Sequence, residues 1–183
     1  MRFPLIILNA MATFLEAYDN YMEFSKGLVP MLEKLLHENK NMFEAYIREQ
    51  LNAGINGNDK PLRPTYLNDP YFNTKEAGSF YKNARRYMKW KEEIRPPYDV
   101  TWFGLRRSPE TPNLIIRGDF HDSITAVPID KGLRIESRGV SFSNDIEQKY
   151  GQAIYRFSSY ARRHFMENFI KKGLEDYFRK FGL

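Results

Sequence analysis

The run Asp119-Phe120-His121-Asp122-Ser123 puts two carboxylates, an imidazole and a hydroxyl within five residues, the densest set of reactive side-chain types in the chain. A carboxylate beside an imidazole can orient it as a general base, and the same groups can ligate a divalent metal. One turn is not enough for either role. Neighbouring residues on a turn point apart, and a metal needs companion ligands at suitable spacing. The other histidines, His37 and His164, are distant in sequence, and no two histidines have the spacing of a helical metal-binding pair. The expectation is structural: Asp119, after Gly118, caps a helical turn, Phe120 packs inward, and His121 and Asp122 face water. No catalytic residue, no metal and no cofactor is expected here.

Other chemistries find less support. The chain has no cysteine, so thiol nucleophiles, disulfide scaffolds and cysteine-based zinc sites are excluded. Its glycines are scattered singly, without the phosphate-cradling patterns G-x-x-x-x-G-K or G-x-G-x-x-G. Arg85-Arg86-Tyr87-Met88-Lys89-Trp90-Lys91 mixes cations with aromatics, the combination that pairs phosphates and stacks bases. On a helix, however, Lys82, Arg85 and Lys89 share a face while Tyr87 and Trp90 lie elsewhere. That is equally the pattern of an amphipathic helix with lysine stems lying along its surface. A small basic nucleic-acid-binding accessory protein, using a helix over residues 82–95, is therefore the alternative function.

The elements that carry these residues follow from periodicity. Apolar positions Leu8, Met11, Leu15, Tyr18 and Met22 give one face of a first helix over 5–24, broken by Ser25-Lys26-Gly27 and Pro30. A second helix carries Leu32, Leu35, Leu36, Phe43, Tyr46, Ile47 and Leu51 and stops at Gly54. Residues 54–73 read as a loop that packs down through Tyr66, Tyr71 and Phe72. A third helix, capped by Thr74, runs to the Pro96-Pro97 stop. The irregular stretch 96–112 sets Trp102 and Phe103 among prolines, and both are expected at an interface. Leu114-Ile115-Ile116 reads as a short buried strand. Ile124–Ile129, the turn Asp130-Lys131-Gly132 and Leu133–Ser137 read as a hairpin, with Pro128 at an edge. Asn144 to Glu147 matches a capping box for a short helix ending at Gly151, and a last helix starts near Ser158. The fold class is α+β, with N-terminal helices, a small antiparallel sheet with a hairpin, and a C-terminal helix. One domain over 1–183 is expected, with residues 1–30 as an N-terminal arm or interface helix and 31–183 as the body.

Composition agrees with a packed core: 42% of the 183 residues are hydrophobic and 15% aromatic. The run Leu5–Leu8 is broken by Asn9 and soon reaches Glu16 and Asp19, too short for a membrane span, so no membrane partner is expected. The net charge of +5 is unevenly placed. Residues 1–58 hold five cations against seven anions, a net of −2, whereas residues 82–107 hold eight against three, a net of +5. One acidic end and basic segments farther on suit head-to-tail contacts between copies, as they also suit ordinary solvated helix faces.

The second half carries a family resemblance. Asn113-Leu114-Ile115-Ile116-Arg117-Gly118-Asp119-Phe120-His121-Asp122-Ser123-Ile124 is similar to the L-x-L-T-G-D-F-x-x-S stretch of head–tail junction proteins of tailed bacteriophages, the neck, tail-completion and connector ring proteins. Asp145-Ile146-Glu147-Gln148-Lys149-Tyr150-Gly151 resembles their x-L-E-x-K-Y-G-x-x-I element, and Ile154 with Phe157-Ser158 stands where they read I-x-x-L-S. Upstream, Arg48-Glu49-Gln50-Leu51-Asn52-Ala53-Gly54 resembles their R-x-Q-L-x-x-G helix end. Arg117 departs from the pattern, which has Thr there; the 96–112 loop is longer than in the pattern, and the apolar N-terminal helix is not part of it. The resemblance implies a structural virion protein, made in the host cytoplasm, whose copies form a ring, usually six- or twelve-membered. Its partners would be further copies, neighbouring portal, neck or tail proteins and, non-specifically, DNA in the channel. It also implies that Gly118 and Gly151 supply turns and Phe120 and Tyr150 core anchors, with Asp119 and Lys149 in the same motifs.

Overall fold

A computed structural model describes residues 4–94 and 100–183, with side chains from Thr13 onward. Leu8, Met11 and the Pro96-Pro97 stop therefore lie outside the described side chains or residues. The architecture is α+β: helices surround a single two-stranded antiparallel hairpin.

The first helix, α1, runs unbroken over Pro4–Glu38 and contains Pro30. The expected break at 25–30 does not occur. Proline costs a helix one hydrogen bond, yet the helix runs on through it; one turn and a half earlier the Tyr177 hydroxyl donates to the Phe24 carbonyl (2.7 Å) and the rings of Phe24, Tyr177 and Phe181 pack together. The chain turns instead at Asn39, whose side-chain amide donates to the Leu35 carbonyl (2.8 Å) and satisfies one of the helix's last acceptors. Helix α2, Lys40–Asn52, follows and ends before Gly54, at φ 70°, as expected. The helix therefore continues through residue 30. The arm is the front half of one continuous helix, on which every side chain from Thr13 to Tyr21 is exposed.

After a loop that buries Leu62, Tyr66 and Phe72, the expected long third helix is divided. Residues Lys75–Phe80 form a short 3-10 segment interrupted at Gly78, Lys82 turns the chain at φ 54°, and only Ala84–Ile94 make helix α3. The Lys82 amide donates to the Phe72 carbonyl (2.7 Å), so the turn is held by the loop beneath it. Thr74 does not cap; its hydroxyl donates to the Tyr71 carbonyl.

Residues 114–116 are not a strand. Leu114 sits at φ 57°, and the Asn113 side chain takes the Ile115 amide (3.2 Å) where a strand partner would stand. A one-turn helix α4, Asp119–Ser123, leads into β1, Ile124–Ile129, paired with β2, Gly132–Ser137, in the expected hairpin. Ala126 pairs with Ile135 facing the core, while Val127 pairs with the exposed Arg134. Pro128 lies exposed opposite Leu133 near the end of its strand. Helix α5, Ser143–Tyr150, starts earlier than the capping box required: Phe142 stands at its N-cap, Asn144 lies inside the first turn, and Glu147 pairs with Tyr155 (2.8 Å) and Gln152 instead. Helix α6, Ser159–Phe165, is capped by Ser158, whose hydroxyl accepts the Ala161 amide (3.1 Å). A π-helical turn, Met166–Ile170, then joins it to α7, Lys171–Lys180. The extra residue of that turn keeps both Phe165 and Ile170 on the buried face.

The main core joins Tyr46, Ile47 and Leu51 of α2 to Phe120, Ile124, Ile154 and Phe165. Tyr46 is its hub, with the rings of Trp102, Phe103, Phe157, Phe165 and Phe169 at 5.5 to 6.3 Å. A second, smaller core gathers Tyr66, Phe72 and Ala77 under Tyr87 and Phe80 of the 75–94 region.

Candidate functional site

The residues that carry the family resemblance meet in space, and the polar ones act as ties between backbone segments. Arg48 donates from Nε to the His121 carbonyl (2.7 Å) and from Nη2 to the Ile124 carbonyl (3.0 Å). One turn earlier Glu44 accepts the Ala126 amide (2.9 Å), so α2 covers the free edge of β1 with side-chain partners. Gln50 is fully buried and spans the gap to the C-terminal half: its amide donates to the Arg156 carbonyl (2.9 Å), and its oxygen accepts the Ser158 amide (2.6 Å). Lys149 pairs with the buried Asp69 and lies 5.9 Å from the Tyr71 ring centre. Gly118 (φ 114°) and Gly151 (φ 77°) both adopt left-handed backbone at changes of direction.

The Asp119–Asp122 cluster is resolved differently from expectation. Phe120 packs inward as foreseen, and Asp122 is exposed, but His121 is only 5% exposed. Its Nε2 donates to the Asn113 carbonyl (2.8 Å), fixing the segment that was expected to be a strand. Burial pushes the imidazole down to about 4, and Arg48 and Lys91 act in the same direction. Asp119 lies in the first turn of α4 rather than capping it; the cap is Gly118. Among the described residues, no group of three or more His, Asp or Glu side chains is placed to hold a metal ion. Among them, too, no helix is long and apolar enough to cross a membrane.

Between the tied segments opens a cleft of about 640 Å³. Its base is aromatic, formed by Tyr66, Tyr87 and Phe120. One wall is Pro112 with Leu114, Ile115 and Ile116; the other is α5, through Ile146 and Tyr150 with Phe142 just before it. Lys91, Arg117 and Lys149 lie among these groups with Asp119 and Asp145. Burial raises the Tyr66, Tyr87 and Tyr150 hydroxyls, with Arg107 opposing at Tyr66 and Asp69 reinforcing at the other two, so all three are neutral at physiological pH. Sequence reasoning missed this cleft. The motif residues Gly118, Asp119, Phe120, Lys149 and Tyr150 line it, but nothing local shows that their two segments face each other.

The two proposed interface residues part company. Phe103 packs against the main core, whereas Trp102 is 52% exposed, its ring edge-on to Tyr46 and its amide held by Glu49 (3.1 Å). On α3, Tyr87 lies against Tyr66, Phe72, Phe80 and Trp90, while Arg85, Arg86 and Lys89 are exposed. Comparison of the chain with protein-family models, curated proteins and solved structures finds no match.

Proposed function

We propose that the chain is a structural subunit of a ring at the head–tail junction of a tailed-bacteriophage virion, joining neighbouring portal, neck or tail rings and carrying no catalysis. One observation bears most weight: the front half of α1 holds Phe14, Leu15, Tyr18 and Tyr21 in solvent, with Phe14 70% and Tyr21 64% exposed. A helix of 35 residues is about 50 Å long, and among its described side chains those from Thr13 to Tyr21 are all exposed. So large an apolar surface needs covering by another chain. The motif islands support the same reading, since their polar residues tie backbone to backbone and leave an apolar cleft rather than converging on a reacting atom.

The exposed Arg85, Arg86 and Lys89 fit non-specific contact with the phosphates of DNA in a channel. Sequence-tolerant stacking on Tyr87 is disfavoured, because that ring is already packed into the second core. Sedimentation velocity and negative-stain class averages, at about 50 and about 500 mM salt without DNA, separate the ring from the nucleic-acid accessory protein, whose binding would collapse with salt. A closed ring in both conditions is expected, as is labelling of the neck by an antibody in particles that contain the protein. Trp102→Ala should weaken association while leaving the circular-dichroism spectrum unchanged. A monomer at both salts that binds DNA only at the lower one would overturn the proposal.

A further inference from the structure

We infer that the front half of α1 from one copy seats its aromatic stripe in the Tyr66–Tyr87–Tyr150 cleft of the next copy, giving a head-to-tail interface. The inference rests on the ring reading above and supplies its contact.

The stripe is well defined. At ~100° per residue, Phe14, Tyr18 and Tyr21 fall within about 60° of the circumference, the i, i+4, i+7 pattern by which a helix enters a groove. Leu15 flanks them, and all four are exposed. The receiving cleft is aromatic and aliphatic, and its rim side chains Ile116 and Phe142 are exposed as well. Two unfilled apolar surfaces on one molecule share no residue. A contact between different patches is heterologous, and heterologous contacts close into rings when the rotation allows. The helix does not reach its own cleft, since every side chain from Thr13 to Tyr21 is exposed.

Charge selects this occupant over the helix's own twin. Residues 13–23 carry Glu16, Asp19 and Glu23 and no cation, a net of −3. Helix α3, which borders the cleft through Tyr87 and Lys91, carries Arg85, Arg86, Lys89 and Lys91 against Glu92 and Glu93, a net of +2. The acids lie mainly on the face opposite the stripe, so they steer the encounter without being buried. Pairing two α1 helices would instead set two segments of net −3 side by side.

The test uses complementation. A helix variant, Phe14→Asp with Tyr18→Asp, and a cleft variant, Ile116→Asp, should each fail to form rings, all three positions being exposed. Mixed in equal amounts, they should give a dimer that grows no further, because one intact helix meets one intact cleft. Since the chain has no cysteine, Tyr18→Cys and Ile116→Cys proteins provide a second measurement: oxidation of the mixture should link 18 to 116 and leave 18–18 links rare. A mixture that stays monomeric without an 18–116 link, while the parent forms rings, overturns this docking and leaves the ring reading standing. Linked head-to-tail chains that form open fibres and never label the neck overturn the ring reading but not the docking. A parent that stays monomeric overturns both.

Discussion

Lowering the pH from about 7.5 to about 5 should destabilise the fold by about 2 kcal/mol through His121 alone. In the folded chain this imidazole is buried, donates Nε2–H to the Asn113 carbonyl, and is pushed down to about 4 from an ordinary 6.5. Burial is the main cause, with Arg48 and Lys91 adding to it, and the Asn113 hydrogen bond and Asp122, which favour protonation, do not offset them. Between those two values the unfolded chain binds a proton that the folded chain refuses. Stability is therefore complete above about pH 6.5 and falls as the pH drops toward 4. The whole displacement is worth about 3 kcal/mol, at ~1.4 kcal/mol per pH unit, of which about two-thirds is spent by pH 5. Urea unfolding at the two pH values, for the parent and for His121→Gln at the same protein concentration, isolates this contribution. Glutamine can still donate to Asn113 but does not titrate, so the variant should lose about 2 kcal/mol less than the parent on acidification. Equal losses, or an NMR titration of His121 with a midpoint near its ordinary value, would refute the reasoning.

Gln50→Ala should cost about 2 kcal/mol, because it strands the buried Ser158 amide and the part-buried Arg156 carbonyl together; a denaturation midpoint equal to the parent's would show that water replaces the amide freely. Gly118→Ala and Gly151→Ala should each destabilise by about 1 kcal/mol through positive φ. Open space surrounds a Cβ at Gly151, so a melting temperature unchanged there would mean that its backbone relaxes without cost.

The local features were legible wherever the physics is local. The hairpin at 124–137 is written in the alternation of 133–136 and the turn residues Asp130-Lys131-Gly132, the Ser158 cap in a hydroxyl before an apolar period, and the stops at Gly54 and Gly151 in residues that tolerate positive φ. The same reasoning failed where distant groups outbid local preference. Pro30 stays inside α1, whose Phe24 is tied to Tyr177 of the C-terminal helix; Leu114–Ile116 are no strand because Asn113 and His121 hold the chain in a turn. Glu147 has the right spacing for a capping box, yet the helix starts earlier and Glu147 pairs with Tyr155 and Gln152. His121 looked solvent-facing because nothing in its neighbours in sequence reveals the Asn113 carbonyl and the Arg48 guanidinium that meet it.

The sequence by itself determined the α+β class, the hairpin and the uneven charge. Only the tertiary structure decided that the N-terminal helix is continuous and projects, that Trp102 rather than Phe103 stays outside, and that two motif segments some thirty residues apart close on a shared cleft. Periodicity records which face of an element is apolar. It does not record which other face it meets, because that depends on contacts between residues far apart along the chain.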